Sequence, residues 1–361
     1  MRNRLHRLLF GCVLLLASCM APDLPEQGLP LRDGYPLDEL WIVHGLAETI
    51  GLVNCDRLFG GRSDYFANPL FLTGRVPNRI VVDGTNGIIV NSTGHSLTLF
   101  SLRSPGQRRE IALPGGSNPW DAALLHREGL FRILVTAFMR NSLCVVDPVS
   151  GRVEHEIMLT NGSRPEGLAI VGTRAWVAMS GWNFSSGDYD PGRVSLIDIS
   201  ANDPRQWKET GWLAAGSNPQ TIFGDTSGQV HVLSTGRYNT GSGVVRVFDA
   251  ETLVLKKEIA TGGSPQALAF DVTAGIMHAA GGAMHAAYDV ATLETLALPE
   301  VEAAFRARDI SALAIDTGRR ILFAADFSGD QLLAIALDGT GLVRSLQVAD
   351  GPVALAAGTT W

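Results

Sequence analysis

The chain has 361 residues, 46% hydrophobic and 18% charged, with 40 glycines, 17 prolines and a formal net charge of −7. That length allows a sizeable core, and the acidic balance excludes a general electrostatic attraction to nucleic acid. Abundant glycine with little charge favours many short strands joined by tight turns, and all-β folds of this size often form a single domain.

The N-terminus has the layout of a secretory leader: Arg2, Arg4 and Arg7, then an apolar run over 8–17 that is too short to span a bilayer. The run ends in Leu16-Ala17-Ser18-Cys19, which resembles the lipobox of bacterial lipoproteins. The resemblance implies a signal peptide over 1–18, a lipid on Cys19 and a Pro-rich linker over 19–37. Several acyl chains on one cysteine make a stable anchor. Met20, rather than Asp, after the cysteine favours the outer membrane by the same resemblance. The expected location is therefore the cell envelope, with membrane contact through the lipid alone. Cleavage takes away three arginines and no acid, so the remainder is more acidic still. Cys55 and Cys144 fall in different repeats and are expected to be buried thiols.

An internal repeat dominates the rest. A proline followed by alternating small apolar residues returns at Pro77, Pro119, Pro165, Pro219, Pro265 and Pro352, with a proline-free copy at Asp309-Ile310-Ser311-Ala312. The proline spacings are 42, 46, 54 and 46, and then 87 covers two units. Each unit continues with further β-branched runs, such as Phe131-Arg132-Ile133-Leu134-Val135 and Leu143-Cys144-Val145-Val146-Asp147. Four strands per unit make a propeller blade. The recurring Asp147, Asp198 and Asp249 stand at hairpin turns, where a carboxylate accepts backbone N–H bonds. The run from Ile133 to Ile157 is similar to the repeat of the YVTN family of β-propellers, and that resemblance covers 76–361. It implies architecture rather than activity.

Six full repeats leave the β-rich segment around Trp41 at one end and a single strand after Pro352 at the other. Together they complete a seventh blade and remove the open sheet edge. The expected fold is thus all-β: one seven-bladed β-propeller over 38–361, with four-stranded antiparallel blades, closed by pairing of its N- and C-terminal strands. It is expected to be a monomer.

No HExxH, Gly-x-Ser-x-Gly, CxxCH or phosphate-binding glycine loop occurs, so no catalytic residue, metal site or cofactor is assigned. Binding is expected on the face formed by the loops leading into the innermost strands and the loops joining second to third strands. The first set supplies Arg79, Trp120, Arg164, Glu166, Gln220, Gln266 and Asp309. The second supplies His95, Arg140, Trp182, Tyr189, Arg237, Tyr238, His285 and Asp326. The loops 180–192 and 234–243 are longer than the repeat demands and set Trp182, Phe184, Tyr189 and Tyr238 among small residues, a composition that binding surfaces use. Two functions follow: a binding or scaffold module for an envelope protein, glycan or small ligand, or a lactonase-like hydrolase or lyase. The second would use Glu166, Asp309, Asp326 and His285 at the channel mouth.

Overall fold

The computed structural model describes residues 39–358, with the exception of Thr85, Glu128 and Asn239. The leader, Cys19 and the linker therefore lie outside the described residues. Seven four-stranded antiparallel sheets form the body, each in the order expected from the repeat. The innermost strands of blades one to six are Pro77–Asp83, Pro119–Arg127, Pro165–Val171, Pro219–Gly224, Ala267–Asp271 and Ile310–Asp316. Each is adjacent to its neighbour around the axis, and Pro352–Gly358 fills the gap between the sixth and the first.

That last strand belongs to the blade made from both ends of the chain, whose order is Phe66–Leu72, Thr49–Asn54, Glu39–His44, Pro352–Gly358. Register runs from Glu39↔Gly358 through Trp41↔Ala356 to Val43↔Ala354. Both ends of the described chain therefore leave the ring together, on the side away from the loop 45–48.

The core is distributed between blades. Among the described residues there are seven apolar clusters, one in each seam. In the closing seam Trp41, Val43 and Ile50 pack on Ile80, Ile89 and Phe100 of blade one, with the Trp41 and Phe100 rings 5.3 Å apart. Alternation along each strand thus buries both faces, and no blade has a core of its own. Cys55 and Cys144 are buried in different seams of the ring, as expected. Burial pushes the Cys144 thiol up to about 12, so it packs as a small apolar group.

Prolines lead the innermost strands because the missing N–H leaves no gap at a strand's first residue. Just after most of them the ladder slips by a β-bulge: between Pro77 and Arg79, Pro119 and Ala122, Pro165 and Leu168, and Pro219 and Thr221. A bulge re-aims side chains, and here each one falls at the start of an innermost strand. Backbone bonds then fasten the second-to-third-strand loop of a blade to its own proline turn: Ser92 N to Val76 O at 2.9 Å, Ser180 N to Arg164 O at 3.0 Å, Thr235 N to Asn218 O at 2.9 Å. The two loop sets therefore form one face.

At the hairpins, Asp147 accepts from Val149 N, Asp198 from Ser200 N, and Asp249 from Glu251 N and Thr252 N, the structural role expected for them. A second repeat device joins strands three and four. Ser96, Ser142 and Ser195 hydroxyls donate to Glu110, Glu156 and Glu209, at 2.6, 2.6 and 2.5 Å.

Among the described residues, two short α-helices interrupt the all-β pattern. Cys55–Phe59 follows the second strand of the closing blade, where the Asn54 side chain accepts from Arg57 N and caps its start. Pro299–Phe305 replaces most of the outer strand of blade five, which is reduced to Thr295–Leu296. Pro299 in its first turn and Glu300 and Glu302 nearby suit a helix N-terminus.

Candidate binding face at the channel mouth

The bulges and the two long loops bring one group of side chains together over blades two to four. Loop 180–192 folds back as a small hairpin, pairing Trp182 with Tyr189 and Asn183 with Asp188. Its turn closes through Asn183, whose Oδ1 accepts from Ser185 N at 2.9 Å. The Trp182 ring meets Tyr189 edge-on at 5.0 Å and Phe184 at 6.2 Å.

Arg164 lies between this hairpin and blade two. Its guanidinium stands 4.7 Å from the Phe184 ring and 5.7 Å from Phe138, and Phe138 stacks on Trp120 at 5.7 Å. Trp120, Arg164, Phe184, Trp182 and Tyr189 thus form one continuous aromatic and cationic group, linked through the buried Phe138. Tyr238, half exposed on the neighbouring long loop, extends it: its hydroxyl is 3.4 Å from Gln220 Nε2. Arg237 on the same loop pairs with Asp188 of the hairpin at 3.0 Å, holding the two long loops together.

Below this group lies Glu166, buried in the first turn of the third innermost strand. Burial pushes its carboxyl up to about 8, against a hydrogen bond with Ser180. Its Oε2 is buried without a partner. Tyr189 is held above the usual phenol range, first by burial and then by the nearby Tyr238 and Glu166. Glu166 is thus a neutral acid under a phenol at neutral pH.

Asp121 is the neighbouring acid, one blade back. It is buried, faces Arg79 at 3.0 Å, and accepts from Ala122 N and Leu168 N at 2.8 and 3.1 Å. Burial raises its carboxyl while Arg79 opposes the rise. Its own N–H donates to Thr136 Oγ1, whose hydroxyl donates to the Glu166 carbonyl at 2.7 Å. Blades one, two and three are thereby tied at the rim. Thr221 Oγ1 bonds the Gln266 carbonyl at 2.7 Å and continues the chain of ties to blade five.

Five expected residues do not join this group. Arg140 turns to the flank and pairs with Glu156 at 2.7 Å on its own blade's outer strand. Asp326 is buried in blade six, bound by Arg308 at 3.1 Å and by Asp309 N at 3.0 Å, while the Asp309 side chain accepts from Ser328. His285 is not in a loop. The turn before it is only two residues long, so it lies in strand Met284–Asp289, 3.1 Å from His278 Nδ1 and edge-on to Phe305. Burial drops His278 to about 4 and His285 to about 3. His95 does lie in a loop, where its Nδ1 accepts from Asn118 N.

Two residues of the mouth had weak signals in the sequence. Phe138 is an aromatic in a second-to-third-strand loop of ordinary length. Asp121 is an acid where most repeats carry a small or amide residue.

No family model matches the chain, and no curated protein sequence matches it. Solved structures do. A hydrazine synthase chain from Kuenenia stuttgartiensis is 16% identical over 77% of this chain and 88% of its own, with a TM-score of 0.63. A chain of a mitotic checkpoint complex is 10% identical over 98% and 91%, with a TM-score of 0.58. A chain of a nidogen/laminin complex is 12% identical over 88% and 96%, with a TM-score of 0.52. At such identities the likeness shows the shared fold: this chain is a seven-bladed β-propeller.

Proposed function

We propose that the protein is a binding propeller that captures a ligand on the aromatic mouth over blades two to four. The carrying observation is the continuous group from Trp120 to Tyr238 above a buried carboxyl with an unpartnered oxygen. Rigid aromatics with two rotatable bonds give contact area at low entropic cost, and loop-borne sites on a rigid scaffold are where binding residues concentrate. We further propose, from the leader and lipobox-like segment, that the chain is exported and tethered through Cys19 to the cell envelope.

The test is a screen of immobilised glycans, small ligands and envelope proteins with the wild type and with Trp182→Ala/Tyr238→Ala. A ligand held by the wild type and lost by the double variant supports this reading. A ligand held equally by both places binding elsewhere and refutes it.

A hydrolase or lyase has one observation in its favour: Glu166 is a carboxylic acid kept protonated near neutral pH, as a general acid must be. The other groups such a site would use do not converge on it. Asp309 and Asp326 belong to blade six and His285 is packed under the helix. Glu166→Gln abolishing lactone hydrolysis by the wild type would favour the enzyme.

A further inference from the structure

Arginines at this face differ in one respect. Arg79 and Arg237 are each paired with an acid at 3.0 Å, as is Arg140 on the flank at 2.7 Å. Arg164 is not. Its Nη1 reaches the Met139 carbonyl only at 3.4 Å, and its Nε is buried without a partner. A guanidinium has five N–H donors in a planar fork shaped for a carboxylate, and here almost all of that capacity is unused.

The side chain is nonetheless held in place. Arg164 adopts φ +61°, the left-handed conformation that Val76, Asn118 and Asn218 share at the matching pre-proline position of other blades. Three bonds fix its backbone: its N–H donates to Asn141 Oδ1 at 2.8 Å, and its carbonyl accepts from Ser180 N at 3.0 Å and Ser180 Oγ at 3.1 Å. The Phe138 and Phe184 rings then flank the guanidinium. A guanidinium set between two aromatic rings and paired with no acid of the protein is placed to meet an anion.

Building on the mouth reading above, we propose that Arg164 anchors the carboxylate of an acidic sugar, a uronic acid residue of a glycan. The carboxylate would lie in the plane of the fork, with N–H donors meeting its oxygens. The surroundings favour a sugar over an aliphatic ligand. The exposed Phe184 and Tyr238, beside the half-buried Trp120 and Trp182, offer ring surface of the kind that stacks on the C–H face of a pyranose. The Gln220 amide and the Tyr238 hydroxyl, 3.4 Å apart, offer donors and acceptors for its hydroxyls. The protein is acidic as a whole, so this recognition is local and does not depend on long-range attraction.

The probes are a galacturonate trimer, its fully methyl-esterified form and hexaglutamate, each titrated calorimetrically into the wild type, Arg164→Gln, Arg164→Lys and Trp182→Ala. The wild type is expected to bind the trimer and to lose about tenfold or more in affinity for the ester, which keeps the rings and removes the charge. Arg164→Gln should lose the same factor for the trimer, and Arg164→Lys should not restore it, because an ammonium cannot reproduce the fork. Equal affinity of the wild type for trimer and ester overturns the proposal even if the arginine variants fail to fold. Failure of the wild type to bind the trimer also overturns it, as does Arg164-dependent binding of hexaglutamate in preference to the trimer. Trimer binding that needs Trp182 but not Arg164 would overturn the carboxylate anchor and leave the mouth standing, whereas binding indifferent to both would overturn the two together.

Discussion

Trp41 and Ala356 lie opposite one another across the strand pair that joins the two ends of the chain, although over three hundred positions separate them in the sequence. The indole is fully buried against Phe100 of blade one, so the pair belongs both to a sheet and to a seam. Ring closure and core formation are therefore one event at this place, and its loop-closure entropy must be met by contacts made late.

Removing residues 351–361 should abolish cooperative unfolding. The deletion exposes the edge of Glu39–His44 and strips cover from the seams on both sides. A truncated protein with a single sharp melting transition at the wild-type temperature would contradict the closure.

Glu166 makes stability fall with pH. Its folded value of about 8 lies above the ordinary value of 4.5, so the native state holds a proton that the unfolded chain releases between those limits. In that window the penalty grows by on the order of 1 kcal/mol per pH unit, and it levels off above pH 8. Glu166→Gln removes it. Wild-type stability measured relative to that variant should decline from pH 5 to pH 8, and parallel curves would show the carboxyl to be ordinary.

The pair His278 and His285 acts at the opposite end of the scale. Both titrate in the folded state well below 6.5, at about 4 and 3, so the unfolded chain takes up protons first. Stability they support above pH 6.5 is lost progressively as pH falls towards 4. His285→Phe, which keeps a ring against Phe305, should flatten the acid limb of a denaturation series between pH 6.5 and 4. An unchanged limb would assign acid unfolding to other groups.

Val76 carries φ +49°, a conformation hostile to a β-branched side chain. Its backbone is held there by Val76 N donating to Glu48 Oε1 at 3.1 Å and by Val76 O accepting from Ser92 N at 2.9 Å. Val76→Gly should relieve roughly 1 kcal/mol of strain and raise the melting temperature by about 2 °C. A clear drop instead would show that the isopropyl group contributes more than the strain removes.

The blades were legible because most of them repeat the same local instructions: a proline, a small-residue strand, and a hairpin aspartate. The closing blade was legible from arithmetic, since a lone strand after Pro352 needs partners and the segment around Trp41 supplies them. The mouth was legible in outline. Loop length marked Trp182, Tyr189 and Tyr238, but the direction of a side chain near a bulge depends on a register slip that no single strand's alternation reveals. Arg140 and Arg164 look alike in the sequence, yet one turns to Glu156 and the other enters an aromatic clamp. His285 was misplaced because blade five shortens its turn to two residues, and the seven-residue helix Pro299–Phe305 is too short for periodicity to show.

Because Glu39 and Gly358 are neighbours on the back of the ring, the protein can be held by either end without obstructing its front. A sensor chip, a fusion partner or a long flexible stalk attached there would leave Trp182 and Arg164 facing outward, like a dish on a pole. Each blade adds its own loops to that dish while sharing its interior with two neighbours, so the rim can be redesigned loop by loop whereas the spokes cannot.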